Sequence, residues 1–163
     1  MRATARYLAL RNSLEKGEVS FGVGGLLLFE AAEVDARQVG YSVAPDGSSL
    51  CGGSGRWRPT WIVIGYETAC GDPLFIDTSD PALPVFTAVH GEGMWNPVKI
   101  AVSAETFLES MKEFARIAVG RSNPVEQDQN PLSDDERNEF LARVTALNEG
   151  QIEAEFWDVL LTC

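Results

Sequence analysis

The sequence predicts an α+β fold in which an antiparallel β-meander packs against helices. Between residues 61 and 101, short segments rich in β-branched and aromatic residues alternate with turn residues, and no helical pattern separates them. From Ser103 onward the spacing of apolar residues changes to the 3.6-residue period of a helix. The length of 163 residues is that of one domain with its own core.

The first 60 residues contain weaker signals. Tyr7, Leu10 and Leu14 recur at near-helical spacing, and Gly17 is suited to end that helix. Glycine, serine and short apolar runs divide the remainder. The predicted elements are a weak amphipathic helix over 3–16, a flexible joint over 21–25, a strand over 26–29, a brief helix over 31–38, an extended piece over 39–43 and a surface loop over 45–55.

The meander is predicted to contain four strands. They cover residues 61–66, 74–77, 85–90 and 98–101. The first of them is apolar on both faces, which is typical of a central strand. Because the connections are short and contain turn residues, neighbouring strands are expected to pair in chain order.

Three helices are predicted after the sheet. Ser103 is a good N-cap for the first, which ends near Gly120. A polar connector over 121–132 leads to Ser133, which begins a capping-box pattern and a second helix, and a short third helix covers 151–161. The apolar face of the first helix comprises Phe107, Leu108, Met111, Phe114, Ala115 and Ala118.

The charge is strongly negative and unevenly distributed. The formal net charge is −11, and residues 121–163, with ten acidic and three basic side chains, carry −7 of it. This balance disfavours nucleic acid and anionic membranes as partners and favours a basic protein. The acidic tail is either a solvated helical face or a docking surface.

Signals for catalysis or cofactor binding are sparse. His90 is the single histidine, and neither Cys51 nor Cys70 lies in a nucleophile motif. The sequence contains no zinc or calcium spacing, dinucleotide fingerprint or phosphate-binding loop, so neither a metal nor a cofactor is expected. An odd number of separated cysteines and the lack of a signal-peptide pattern predict a cytoplasmic protein.

The tryptophans suggest a recognition surface. Trp61 is expected in the core, whereas Trp57 and Trp95 lie beside turn and charged residues, where either core packing or partner binding is possible.

Three linked motifs resemble the SUKH superfamily, which includes a fungal regulator of cell-wall glucan synthesis and many bacterial proteins. The resemblance covers residues 26–116, and the acidic tail after Gly120 lies beyond it. The motifs are Trp57-x-x-x-Trp61-Ile62-Val63-Ile64-Gly65, then Gly71-Asp72-Pro73-x-Phe75-x-Asp77, then Pro84-Val85-x-Thr87-x-x-His90-Gly91-Glu92-Gly93-x-Trp95-x-Pro97.

This resemblance implies one SUKH-like domain over 1–163, with a core at about 26–120 and a helical extension over 121–163. It implies a non-enzymatic protein that binds and neutralises a toxin, often a nuclease, as many bacterial members do. Together with the charge, it predicts that a basic toxin domain contacts one set of residues, with the acids of 134–158 as a second patch. The predicted contact residues are Trp57, Asp72, Asp77, Glu92 and Trp95.

Two alternatives remain open. One is an intracellular adaptor that regulates cell-wall synthesis or signalling proteins through the same surface. The other is a small hydrolase in which His90 works with Glu92 or Asp77.

Overall fold

The computed structural model describes residues 2–12 and 17–162 and has the predicted α+β architecture, with a six-stranded antiparallel sheet whose strands lie in chain order. The strands in the described residues are β1 (Glu18–Phe21), β2 (Gly24–Leu28), β3 (Trp61–Glu67), β4 (Pro73–Asp77), β5 (Val85–Thr87) and β6 (Val98–Ala101). The helices there are α1 (Arg2–Arg11), α2 (Ala104–Ile117), α3 (Pro124–Gln129), α4 (Asp134–Leu147) and α5 (Ala154–Val159), with a 3₁₀ turn at Ala36–Gln38.

One face of the sheet packs against the helices. Alternating strand residues such as Leu74, Ile76 and Ile100 point to this face, where they meet the apolar stripe of α2, including Phe107 and Phe114. Ser103 caps α2 and accepts a hydrogen bond from the N–H of Thr106 at 3.1 Å, as its position predicts.

The opposite face is covered by the segment between β2 and β3. An aromatic core lies between this segment and the sheet and includes Phe29, Trp57, Trp61 and Phe75. The buried Gln38 side chain fixes this segment to the sheet, because its amide accepts from the N–H of Val63 at 3.0 Å and donates to the carbonyl of Val63 at 2.9 Å. Both faces of the central strands are therefore buried.

Gly65 allows β3 to approach β2 closely at the centre of the sheet. A Cβ atom on Gly65 would lie 2.1 Å from the carbonyl oxygen of Leu27 in β2. The pairing of β3 with β4 also shifts by one residue between Val63 and Gly65, as in a β-bulge.

The acidic tail packs into the same core as the sheet. Trp157 is fully buried, and its indole N–H donates to the carbonyl of Ile100 at 3.0 Å. The N–H of Glu153 donates to the carbonyl of Lys99 at 3.0 Å, and the amide oxygen of Asn148 accepts from the N–H of Val102 at 3.0 Å. The tail therefore covers the outer edge of β6 and satisfies polar groups that an edge strand leaves open.

Arg121 connects α2, α3 and α4. Its buried guanidinium donates to the carbonyls of Ile117 and Asn130, each at 2.8 Å, and to Glu136 at 2.9 Å. Backbone hydrogen bonding from Ser133 in the capping box, followed by the contact with Arg121, lowers the pKa of Glu136 to about 2.

Several local predictions were wrong. The predicted joint over 21–25 contains the end of β1, a turn and the start of β2, since Val19 and Phe21 alternate inward on a strand of four residues. The connector over 121–132 contains α3, which Asn123 caps. The segment 39–43 forms isolated bridges and no strand, β5 ends at Thr87, and α1 ends at Arg11, with residues 13–16 outside the described part.

Candidate functional site

The two tryptophans predicted as contact residues join the aromatic core. Trp57 is 1% exposed and donates its indole N–H to the carbonyl of Trp61 at 3.0 Å. Trp95 is half-buried, with its ring centroid 5.1 Å from that of Trp57 and 5.7 Å from that of Tyr41. Core packing, one of the two predicted alternatives, therefore describes Trp57, and only part of Trp95 is accessible to a partner.

Asp77 has a local structural role at the end of β4. Its carboxylate accepts hydrogen bonds from the N–H and hydroxyl of Ser79 and from the indole N–H of Trp61, the last at 3.3 Å. Partial burial acts to raise the pKa of Asp77, but these hydrogen bonds, together with one from Thr60, outweigh it and lower the pKa.

Asp72 joins the β3–β4 turn to the loop after β5. One carboxylate oxygen contacts the backbone N–H of His90 at 2.9 Å and its ring Nδ1 at 2.7 Å. The hydrolase alternative named Glu92 or Asp77 as the partner of His90, whereas the carboxylate that contacts the ring here is that of Asp72. Antiparallel pairing sets the start of β4 beside the end of β5, whereas Asp77 lies at the far end of β4.

A groove of about 440 Å³ opens at this same end of the sheet, where β3 and β5 end and β4 and β6 begin. Helix α5 supplies its remaining wall. We call this the acidic groove, because its lining contains five carboxylates and no lysine or arginine. The carboxylates belong to Glu67, Asp72, Glu92, Glu153 and Glu155.

Two of the five carboxylates are engaged within the protein. Glu67 is buried and accepts from the N–H groups of Ala69 and Cys70, which fixes the β3–β4 turn. Asp72 is engaged with His90. Glu92, Glu153 and Glu155 are exposed, and among the described residues their carboxylates have neither a salt bridge nor a hydrogen bond.

The acidic groove also has a substantial apolar lining. Val98 of β6, Val89 of the β5–β6 loop and Val159 of α5 are 37%, 54% and 50% exposed. Phe156 of α5 and Leu160, which follows the helix, contribute the neighbouring wall. The site therefore combines exposed apolar surface with unneutralised negative charge.

The sequence predicted only part of this groove. Asp72 and Glu92 were predicted contact residues and lie in it, and Glu153 and Glu155 belong to the predicted acidic patch. Glu67 and the apolar lining were missed. The excess of acids in the tail was the available signal. Pairing between the tail and β6 places Glu153 and Glu155 on the same groove as Glu92.

The three arginines of the tail are all used in ion pairs. Arg121 pairs with Glu136, Arg137 with Asp158 at 2.6 Å, and Arg143 with Glu139 at 2.6 Å. Consequently, no tail arginine is left to neutralise the acidic groove.

In the described part of the chain, Asp72 supplies one element that the hydrolase alternative requires, a carboxylate that orients the imidazole of His90. Within that part, no hydroxyl or thiol is hydrogen bonded to His90. Among these residues, no group of three or more histidine, cysteine, aspartate or glutamate side chains could hold a metal ion. None of the described helices is long and apolar enough to cross a membrane.

Comparisons with protein-family models, curated proteins and solved structures found no match to this chain. The relationship to the SUKH superfamily remains a prediction based on the three sequence motifs.

Proposed function

We propose that this chain is a non-enzymatic, cytoplasmic protein-binding module of the SUKH type. Its function is that of an immunity protein, which binds a basic toxin domain, such as a nuclease, and neutralises it. The observation that carries this proposal is the acidic groove. Its lining combines the exposed carboxylates of Glu92, Glu153 and Glu155 with exposed apolar side chains and contains no lysine or arginine.

The electrostatics of the chain support a basic partner. A toxin that acts on nucleic acid needs a positively charged surface to hold phosphates. A protein with a net charge of −11 is attracted to such a surface over long range, which raises the association rate and disfavours acidic competitors. The same charge repels nucleic acid, so the inhibitor would not itself be captured by the toxin's substrate.

The decisive experiment combines the purified protein with each basic toxin domain that is encoded near its gene. We expect a complex whose affinity falls as salt concentration rises, together with loss of toxin activity at equimolar protein. Coexpression should also restore growth to cells that produce the toxin. Full toxin activity in excess protein, for every toxin encoded nearby, would refute the immunity function.

A pull-down from the source cells distinguishes the adaptor alternative. Recovery of a cell-wall or signalling complex without a toxin would favour the adaptor. Recovery of a basic toxin, with no housekeeping complex, would favour the proposed function.

A further inference from the structure

The free carboxylates of the acidic groove come from two segments that lie far apart in the chain. Other acids of the protein pair with a cation, as Glu105 does with Arg6 and Glu109 with Lys112. Glu92 comes from the β5–β6 loop, whereas Glu153 and Glu155 come from the start of α5, about 60 residues later in the chain. The fold thus brings acids from two distant segments to one groove without a cation between them.

Like charges gathered in this way repel one another and reduce the stability of the folded chain. Functional sites commonly keep such unfavourable arrangements, because binding a partner compensates for them. Acids that are spread over a surface repel one another weakly and need no partner to offset the repulsion. The groove carboxylates differ from them in this respect.

The apolar lining further defines the occupant. Val89, Val98 and Val159 lie on the same groove as the three acids, so a purely ionic ligand would leave their surface in water. The volume of about 440 Å³ matches a few side chains, and a whole domain cannot enter it. These dimensions fit one segment of a larger protein.

We infer that the acidic groove binds a cationic amphipathic segment of the partner protein, which places apolar side chains against Val98 and Phe156 and lysine or arginine side chains beside Glu92, Glu153 and Glu155. This inference rests on the proposed protein-binding function and adds the chemistry of the segment. Charge complementarity selects the cations, and burial of apolar surface supplies the remaining attraction.

The test uses a synthetic helical peptide of leucine and lysine, about 15 residues long, as the probe. NMR spectra of isotopically labelled full-length protein would be recorded during titration with this peptide. We expect shifts concentrated in residues 67–72, 87–98 and 153–160. An equally long peptide with glutamate in place of lysine should cause none of them, since it is repelled by the groove.

Two triple variants separate the groove from the general charge. The groove variant carries Glu92→Gln, Glu153→Gln and Glu155→Gln, and should bind the peptide at least about tenfold more weakly. The control variant carries Asp128→Asn, Asp135→Asn and Glu149→Gln, which remove the same charge outside the groove, and its affinity should change by less than about threefold.

A second measurement follows the stability of both triple variants. We expect the groove variant to unfold at an equal or higher denaturant concentration than the natural chain, because repulsion is relieved. Weaker peptide binding together with lost stability would overturn the inference, since the carboxylates would then be structural.

Three other results would overturn it. They are equal weakening by both triple variants, peptide-induced shifts outside the groove, and equally tight binding of spermine, a cation without apolar side chains. Toxin neutralisation identifies which proposal has failed. If the groove variant still neutralises the toxin completely, this inference is refuted and the immunity function is not. If the natural chain binds the peptide in the groove but does not neutralise the toxin, the immunity function is refuted and this inference is not.

Discussion

Replacement of Trp157 by alanine tests whether the acidic tail is an integral part of the core. The side chain is fully buried and packs against the rings of Phe107 and Phe140, with centroids 6.0 and 6.2 Å away. Truncation of a buried tryptophan costs about 3–5 kcal/mol. Loss of the indole donor also leaves the carbonyl of Ile100 without its partner, at about 1 kcal/mol.

We therefore expect Trp157→Ala to reduce the free energy of unfolding by about 5 kcal/mol, a large part of the stability of a typical domain. Trp157→Phe should cost only about 1–2 kcal/mol, because it keeps most of the packing and loses the hydrogen bond. Urea unfolding followed by circular dichroism gives both values. A loss below about 1 kcal/mol for Trp157→Ala, similar to that for the exposed control Val119→Ala, would refute an integral tail.

Further predictions concern the sheet and the junction of the helices. Gly65→Ala should lower the free energy of unfolding in urea by about 3 kcal/mol, since its Cβ would overlap a backbone carbonyl of β2. The control Gly91→Ala, at a φ of 83° with open space around it, should lower it by about 1 kcal/mol. Equal losses in the two variants would contradict this packing. Arg121→Met should cost about 2–3 kcal/mol, because it leaves two carbonyls unpartnered. Hydrogen bonds at the helix N-cap, together with Arg121, hold the pKa of Glu136 at about 2, below its ordinary value of 4.5. Its stabilising contribution should be complete above about pH 4.5 and lost as the pH falls toward 2, and this loss should be smaller in Arg121→Met; an unchanged pH profile of unfolding in that variant would contradict the assignment.

The sequence predicted the elements whose signals are local. The two faces of β3 and the period of α2 follow directly from apolar spacing, and the caps at Ser103 and Ser133 require only residues within three positions. The four-residue strand β1 was missed because glycines flank it and its stability depends on pairing with β2. Helix α3 was missed because it is only six residues long and mostly polar, with Pro124 as its first residue and Pro131 shortly after its end.

The candidate site was harder to predict, because it depends on long-range pairing. Asp72 and Glu92 carried a motif signal and do lie in the acidic groove. Trp57 lies beside charged residues in the sequence, as a contact residue would. It is buried nevertheless, because the segment between β2 and β3 packs it into the aromatic core on the sheet face opposite the helices. The approach of Glu153 to Lys99 depends on a backbone hydrogen bond across 54 positions, which no spacing pattern in either segment indicates.

Hydrogen exchange on a complex with the proposed toxin partner tests the central claim most directly, since it locates the partner on this protein. The account predicts slower exchange on binding in residues 67–72, 87–98 and 153–160, which surround the acidic groove. Protection confined to residues 39–58, on the aromatic side of the sheet, with unchanged exchange around the groove, would contradict it.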